Sequence, residues 1–269
     1  MKESSATAFD SAALDYDDQF TNSWVGRSQR NLVWKYLSGR IEQSANLSVL
    51  ELNCGTGEDA CWLAQRGHRV VATDISEAML DISRKKIKAR ELSNVETIVS
   101  DMKILKQKLP NRKFDLVFSN FGGLNCLSPE EIKHLSNELH DMLEIDGRMI
   151  FVVMGRKCIW ENIYFRLKGK KKDANRRRES SPAAANVGSS KLMTWYYSPT
   201  ELSALLQPSF EIKKIKPVGL FIPPSYFEDK LKEKNFLKKT LLFLEQTFQN
   251  FSAFSNFADH YLIEFRKLN

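Results

Sequence analysis

No stretch of the 269-residue chain approaches the run of about 18 uninterrupted apolar residues that a membrane helix needs. Residues 1–11 are polar and acidic, with no apolar run after a basic start, so no signal peptide is expected and a cytoplasmic location is. Cysteine is scarce. Cys54, Cys61, Cys126 and Cys158 include no C-x-x-C, which argues against a disulfide framework or a zinc site and for a reducing compartment. There are only four histidines, none paired with a cysteine at ligand spacing, so no metal is expected. Neither an internal repeat nor a distinct linker divides the chain, and residues 1–269 read as a single domain.

What is present is an ordinary globular composition, 42% hydrophobic and 27% charged, long enough to bury a sizeable core. The net charge of +7 is concentrated: eight basic residues lie between Arg166 and Arg178 against one acid, Asp173, leaving the remainder neutral overall. A nucleic-acid surface usually spreads its basic residues over several elements. One Gly-containing run of low hydrophobicity, followed by the polar and alanine-rich residues 179–185, reads instead as a solvated loop inserted over residues 156–190. Nucleic acid is therefore not the expected partner.

Between residues 46 and 155 short apolar runs alternate with amphipathic stretches. Strands are expected at 49–52, 70–73, 95–100, 116–119 and 149–153. Helices are expected from residue 60, over 77–90 and over 129–143, the last with Pro129 in its first turn after Ser128. This alternation predicts an α/β fold, a doubly wound and mostly parallel sheet with helices on both faces, whose ligands bind beyond the carboxyl ends of the strands. Residues 1–45 read as a helical cap carrying Trp24, Trp34 and Tyr36. Residues 191–269 supply a β-rich patch at 192–197, strands at 210–217 and 261–265, and a phenylalanine-rich helical lid over 223–258.

The most informative segment runs from Val49 to Ala60, where a strand meets the turn Asn53-Cys54-Gly55-Thr56-Gly57 and the turn opens a helix. Taken alone, residues 55–60 also fit the G-x-G-x-x-A dinucleotide fingerprint. Charge discriminates. A pyrophosphate wants bare amides at the helix N-terminus, yet this helix begins with Glu58 and Asp59. At about 4 Å and an effective dielectric near 20, each such contact costs roughly 4 kcal/mol. A phosphate-free ligand with a cationic end suits the site better, and S-adenosylmethionine, with an ammonium and a sulfonium, is one. Glu51 lies inside the preceding strand, where a carboxylate is costly unless paired, so it is expected to orient the turn or a ligand cation. Asp74 ends the second strand, seventeen residues after Gly57, placed to accept both hydroxyls of a ribose. Asp101 follows the third strand, placed to accept an adenine amino group.

These residues resemble the class I S-adenosylmethionine-dependent methyltransferases, in their small-molecule branch, closely over 48–153 and more loosely in the flanks. The family motif, acid-x-G-x-G-x-G, is matched by Glu51, Asn53, Gly55 and Gly57, with Asn53 in place of the first glycine. The resemblance implies a seven-stranded Rossmann-like sheet whose last strand, at 261–265, is antiparallel. It also implies that Gly55 and Gly57 contact the methionyl part, Asp74 the ribose and Asp101 the adenine. Ile75 and Met102 would flank the purine, Asn120 and its neighbours would face the methyl group, and Tyr16 on an N-terminal helix would close over the cofactor.

Methyl transfer from a sulfonium destroys charge, so nearness, alignment and a dry pocket supply much of the acceleration and no covalent nucleophile is required. For an oxygen acceptor a general base helps. Asp259-His260, at the start of the last strand, is the candidate, with Asp259 orienting the imidazole. Residues 120–125 lack the N-P-P-Y arrangement with which similar enzymes methylate exocyclic amines. The expected acceptor is a small, hydrophobic or lipid-like molecule, modified at oxygen. Lys230, Lys232, Lys234, Lys238 and Lys239 on the lid would permit loose contact with an anionic membrane. The rival readings are an RNA methyltransferase that uses the run from Arg166 to Arg178, and a nucleoside-binding module that modifies nothing.

Overall fold

The computed structural model describes residues 5–268, apart from 43, 45, 189, 207 and 209; the first four residues of the start read for a leader lie outside them. The apolar runs form a central seven-stranded sheet. Its strands are β1 (Ser48–Leu52), β2 (Arg69–Asp74), β3 (Val95–Val99), β4 (Phe114–Ser119), β5 (Leu143–Met154), β8 (Phe210–Val218) and β9 (His260–Lys267). Two further strands, β6 (Ala183–Val187) and β7 (Ser190–Thr194), pair as a separate hairpin. The order across the sheet is β3-β2-β1-β4-β5-β9-β8, parallel from β3 to β5, with β9 antiparallel to both of its neighbours. The chain winds outward in one direction from β1 to β3 and in the other from β4, so the switch point lies between β1 and β4.

The helices are α1 (Ser5–Tyr16), α2 (Trp24–Ile41), α3 (Glu58–Ala64), α4 (Glu77–Ala89), α5 (Leu105–Lys108), α6 (Pro129–Met142), α7 (Ile159–Leu167), α8 (Lys171–Asn175), α9 (Pro199–Leu206), α10 (Glu228–Leu231) and α11 (Asn235–Phe248). Both faces of the sheet are covered, which is why its strands read as near-continuous apolar runs. On one face α2, α3 and α4 bring Val33, Leu37, Leu63 and Leu80 against Val49, Ala72, Phe118 and Ile150. On the other, α6 and α9 bring Leu135, Leu139, Leu202 and Leu206 against Leu50, Val117, Phe151 and Phe265. The start of α6 follows its local signal: Ser128 and Glu131 form a reciprocal capping box ahead of Pro129. Among the described residues no helix is long and apolar enough to cross a membrane.

The basic run is not the solvated loop its composition suggests. It folds as the end of α7, as α8 and as one tight helical turn, Arg176–Arg178, followed by the β6–β7 hairpin. Arg177 is buried, donating to Glu161 at 2.7 and 2.9 Å, to the Asp259 carboxylate at 2.8 Å and to the Asp259 carbonyl at 2.9 Å. Arg176 adds a 2.7 Å bond to Glu161. Glu161 lies just ahead of the basic run and Asp259 far beyond it, so composition within the run could not reveal them. The patch at 192–197 likewise contributes to the hairpin rather than to the main sheet.

Candidate functional site

A cleft with roughly 990 Å³ of empty space, part of it open to solvent, lies beyond the carboxyl ends of the parallel strands, where ligands of such sheets bind. The turn after β1 forms one wall. Asn53 holds a left-handed backbone, φ +45°, a conformation that asparagine tolerates better than most residues. Its side chain bridges two strand tips, donating to the Asn120 carbonyl at 2.9 Å and accepting from Ser119 Oγ at 2.6 Å. A glycine here would supply the turn but not the bridge. Gly55 lines the cleft, and a side chain added to it would meet nothing within 4 Å. Gly57 has a different task. A Cβ at this position would fall 2.0 Å from Ser83 Oγ, so Gly57 lets α3 and α4 approach and does not line the cleft.

Asp74 and Asp101 both line the cleft, with Ile75 and Met102 beside them. Asp74 accepts the Gly55 amide at 2.8 Å on one oxygen and the Ser76 amide at 2.9 Å on the other. Burial pushes its carboxyl above the ordinary range, against the pull of those amides. Asp101 accepts the Lys103 amide at 3.0 Å and has Lys103 Nζ at 3.3 Å. Both acids keep lone pairs for a ligand. Asn120 lines the cleft and donates to Asp59 at 3.0 Å.

The carboxylates that open α3 are not bare. Glu58 is paired with Arg90 at 2.9 Å and Lys86 at 3.5 Å, and Asp59 with Arg30 at 3.3 Å. The repulsion attributed to them is therefore largely balanced within the protein. Arg30 of α2 is a cleft-lining residue that the sequence did not single out. It is 6% exposed, and its Nε and Nη1 have no aligned hydrogen-bond partner. A buried, under-bonded guanidinium against a cavity is prepared for an anion, and a carboxylate matches it best. The available signal was a cation on the apolar stripe of α2, one turn before Val33. Glu51 is fully buried and has an oxygen without a partner, but does not line the cleft. Burial first, and then the nearby Asp59, hold its carboxyl well above the ordinary range.

Helix α1 and the wide turn Asp17–Thr21 roof this space, with Phe9 and Tyr16 in the lining. Two acids clip the roof to the walls. Asp10 accepts Ser76 Oγ at 2.6 Å, and Asp17 accepts Thr56 Oγ1 at 2.7 Å and pairs with Lys86 at 2.8 Å. Burial pushes the Tyr16 phenol up to about 12. Asp259 and His260 stand farther back and do not line the cleft. The His260 ring meets Phe121, which does line it, edge to face at 5.7 Å. Asp259 Oδ2 lies 3.3 Å from His260 Nδ1, and Oδ1 takes the 2.8 Å bond from Arg177. Burial alone would raise Asp259, but these two partners hold its carboxyl far below the usual range.

Residues 49–147 match the family model for a methyltransferase domain. A demethylmenaquinone methyltransferase of Clavibacter sepedonicus is 32% identical over 53% of this chain and 54% of its own length. A malonyl-[acyl-carrier protein] O-methyltransferase of Bacillus cereus is 26% identical over 64% of this chain and 60% of its own. The chain thus spans little more than half the length of these curated relatives. Among solved structures, the CcbJ methyltransferase of Streptomyces caelestis shares the fold over 99% of this chain and 100% of its own, at 17% identity and a TM-score of 0.64. Magnesium protoporphyrin IX methyltransferase of Synechocystis, solved with bound SAH, shares it over 98% and 95%, at 14% identity and a TM-score of 0.59. Residues 49–147 thus match a methyltransferase domain, set in a sheet whose fold the chain shares with these solved methyltransferases.

Proposed function

We propose that the cleft binds S-adenosylmethionine and that the protein transfers its methyl group to the oxygen of a small, apolar acceptor. The observation that carries this reading is one cavity holding two unsaturated acids at strand tips, Asp74 and Asp101, beside a buried and under-bonded Arg30 at the glycine turn. These groups fit the ligand part by part: Asp74 takes the ribose hydroxyls, Asp101 the adenine amine, and Ile75 and Met102 the purine faces. Arg30 takes the methionyl carboxylate, and Asn53, Gly55 and the buried Glu51 shape and polarise the wall that meets the ammonium. When bound, S-adenosylmethionine supplies the methyl group on a sulfonium. The chain's own part is to orient it, to exclude water beneath α1, and to seat the acceptor.

Phe121, Cys126, Leu127 and Phe9 line the rest of the cavity, an apolar seat that suits a hydrophobic acceptor. Similarity to a demethylmenaquinone methyltransferase and to a malonyl-[acyl-carrier protein] O-methyltransferase supports a lipid-like one. His260, whose Nδ1 lies 3.3 Å from Asp259 Oδ2 and whose ring packs behind Phe121, is assigned the acceptor proton; proton transfer of this kind is worth about 10²–10⁴-fold. Extract incubated with the protein and methyl-labelled cofactor should yield a labelled product that partitions into organic solvent, identified by mass spectrometry. Labelled RNA or protein instead, or no transfer by a protein that binds the cofactor tightly, would overturn the assignment.

A further inference from the structure

A second feature at the ligand end of the sheet faces outward. Met154 at the end of β5 and Val218 at the end of β8 both pair with His260 at the start of β9. Helix α7, which follows β5, and residues 219–259, which follow β8, therefore leave the sheet at the end where the cleft lies. They also pack on each other. Trp160 and Tyr164 of α7 meet Phe227 at 5.9 and 5.0 Å, and the Ile159 amide donates to the Phe257 carbonyl at 3.0 Å.

The outer sides of these elements are apolar. Ile159, Ile163 and Leu167 recur every four residues along α7, and Leu167 is 84% exposed. Phe236 and Phe243, two turns apart on α11, are 85% and 67% exposed. Isolated exposed apolar residues are normal, but aligned rows on adjoining helices mark a contact surface. The α11 row is not core packing, as a lid helix bedded on the protein would require; only Leu241 and Glu245 of that helix are buried. The surrounding charge is mainly positive, with Asp229 and Glu233 the exposed acids beside α11. Lys168, Lys170, Lys171 and Lys172 follow the α7 row, and Lys232, Lys234 and Lys239 flank α11, all exposed. Two further acids of these helices, Glu161 and Glu245, are turned inward and buried, so the lysines outnumber the exposed acids.

We propose that this surface seats on an anionic phospholipid bilayer, with the α7 and α11 rows entering the headgroup boundary and the lysines meeting the lipid phosphates. A second copy of the chain fits less well, because a two-fold contact would bring the two lysine borders together. Membrane contact stands independently of the chemistry. The consequence for substrate rests on the methyl-transfer reading: an acceptor drawn from the bilayer, an amphiphile with its reactive oxygen near the headgroups, enters a cleft at the same end of the sheet.

The test uses the full chain without cofactor, sedimented with vesicles of phosphatidylcholine with or without phosphatidylglycerol. The protein should sediment with the anionic vesicles only and be released by high salt. Phe236→Ser with Phe243→Ser should weaken binding at least about tenfold, from the lost apolar burial, with the circular dichroism melt unchanged. Lys170→Glu, Lys171→Glu and Lys172→Glu together should also weaken it about tenfold or more. No sedimentation with either vesicle, equal binding to neutral vesicles, or binding unchanged in either variant would overturn the proposal. So would a dimer that dissociates when the two phenylalanines are replaced. Calorimetric binding of S-adenosylhomocysteine, measured in parallel, reports on the cleft alone and keeps the two readings separable.

Discussion

Asp74 has two roles that a single substitution confuses. Its oxygens tie the glycine turn to the start of α4, and the same oxygens are assigned the ribose. Asp74→Ala would therefore slacken the wall as well as remove the contact, and Arg30→Met likewise breaks the 3.3 Å pair with Asp59 while it removes a guanidinium whose Nε and Nη1 lack an aligned partner. Losing a charge-assisted hydrogen bond of about 1.5–3 kcal/mol should weaken S-adenosylhomocysteine binding roughly 10- to 100-fold. Arg30→Met should also lower the urea midpoint, since it strands the buried Asp59, and unchanged calorimetric affinity would remove Arg30 from the site. Asp74 and Asp101 were legible because a strand end followed by an acid is a local pattern. Arg30 was not. It reaches the cleft from α2, ahead of the sheet, and only tertiary packing shows that its side of the helix meets a cavity rather than core. Asn53 illustrates the opposite error, since it reads as a defect in a glycine motif until its two bonds across to β4 are seen.

At the level of elements, the sheet and the helices against it were readable from periodicity and caps, and the antiparallel direction of β9 from resemblance. The segment 156–190 was misread because its structure depends on Glu161, Arg177 and Asp259, which join α7, a helical turn and the approach to β9. Arg177 stands between two buried carboxylates, both held below their ordinary range once its pull outweighs their burial. Groups depressed in this way stabilise the fold fully above their unfolded values, near 4, and lose that contribution as pH falls. Arg177→Met strands both acids and should cost about 3–5 kcal/mol at pH 7. Near pH 3, where the stranded carboxyls can take up protons, the gap from the parent should narrow. Urea denaturation at the two pH values checks this, and a gap independent of pH would mean that the arginine matters only for its packing.

On the scale of the molecule, a ligand that binds the folded form alone raises its stability by about 2.7 kcal/mol at a hundredfold excess over Kd. For a protein of this size that is roughly 5–10 °C in melting temperature. S-adenosylhomocysteine should produce such a shift; NAD and ATP should produce none, and a comparable shift with either would reassign the cleft. The roof adds a consequence in time. Asp10 and Asp17 fasten it on the same side as the nucleoside seat, to Ser76 in one case and to Thr56 and Lys86 in the other. A spent cofactor that must pass this roof leaves only once the latches give way, which would make an unlatching rather than a bond exchange the slowest event in each cycle. Loosening one latch without touching the seat, as Asp10→Asn would, should then make the enzyme faster and its hold on the cofactor weaker.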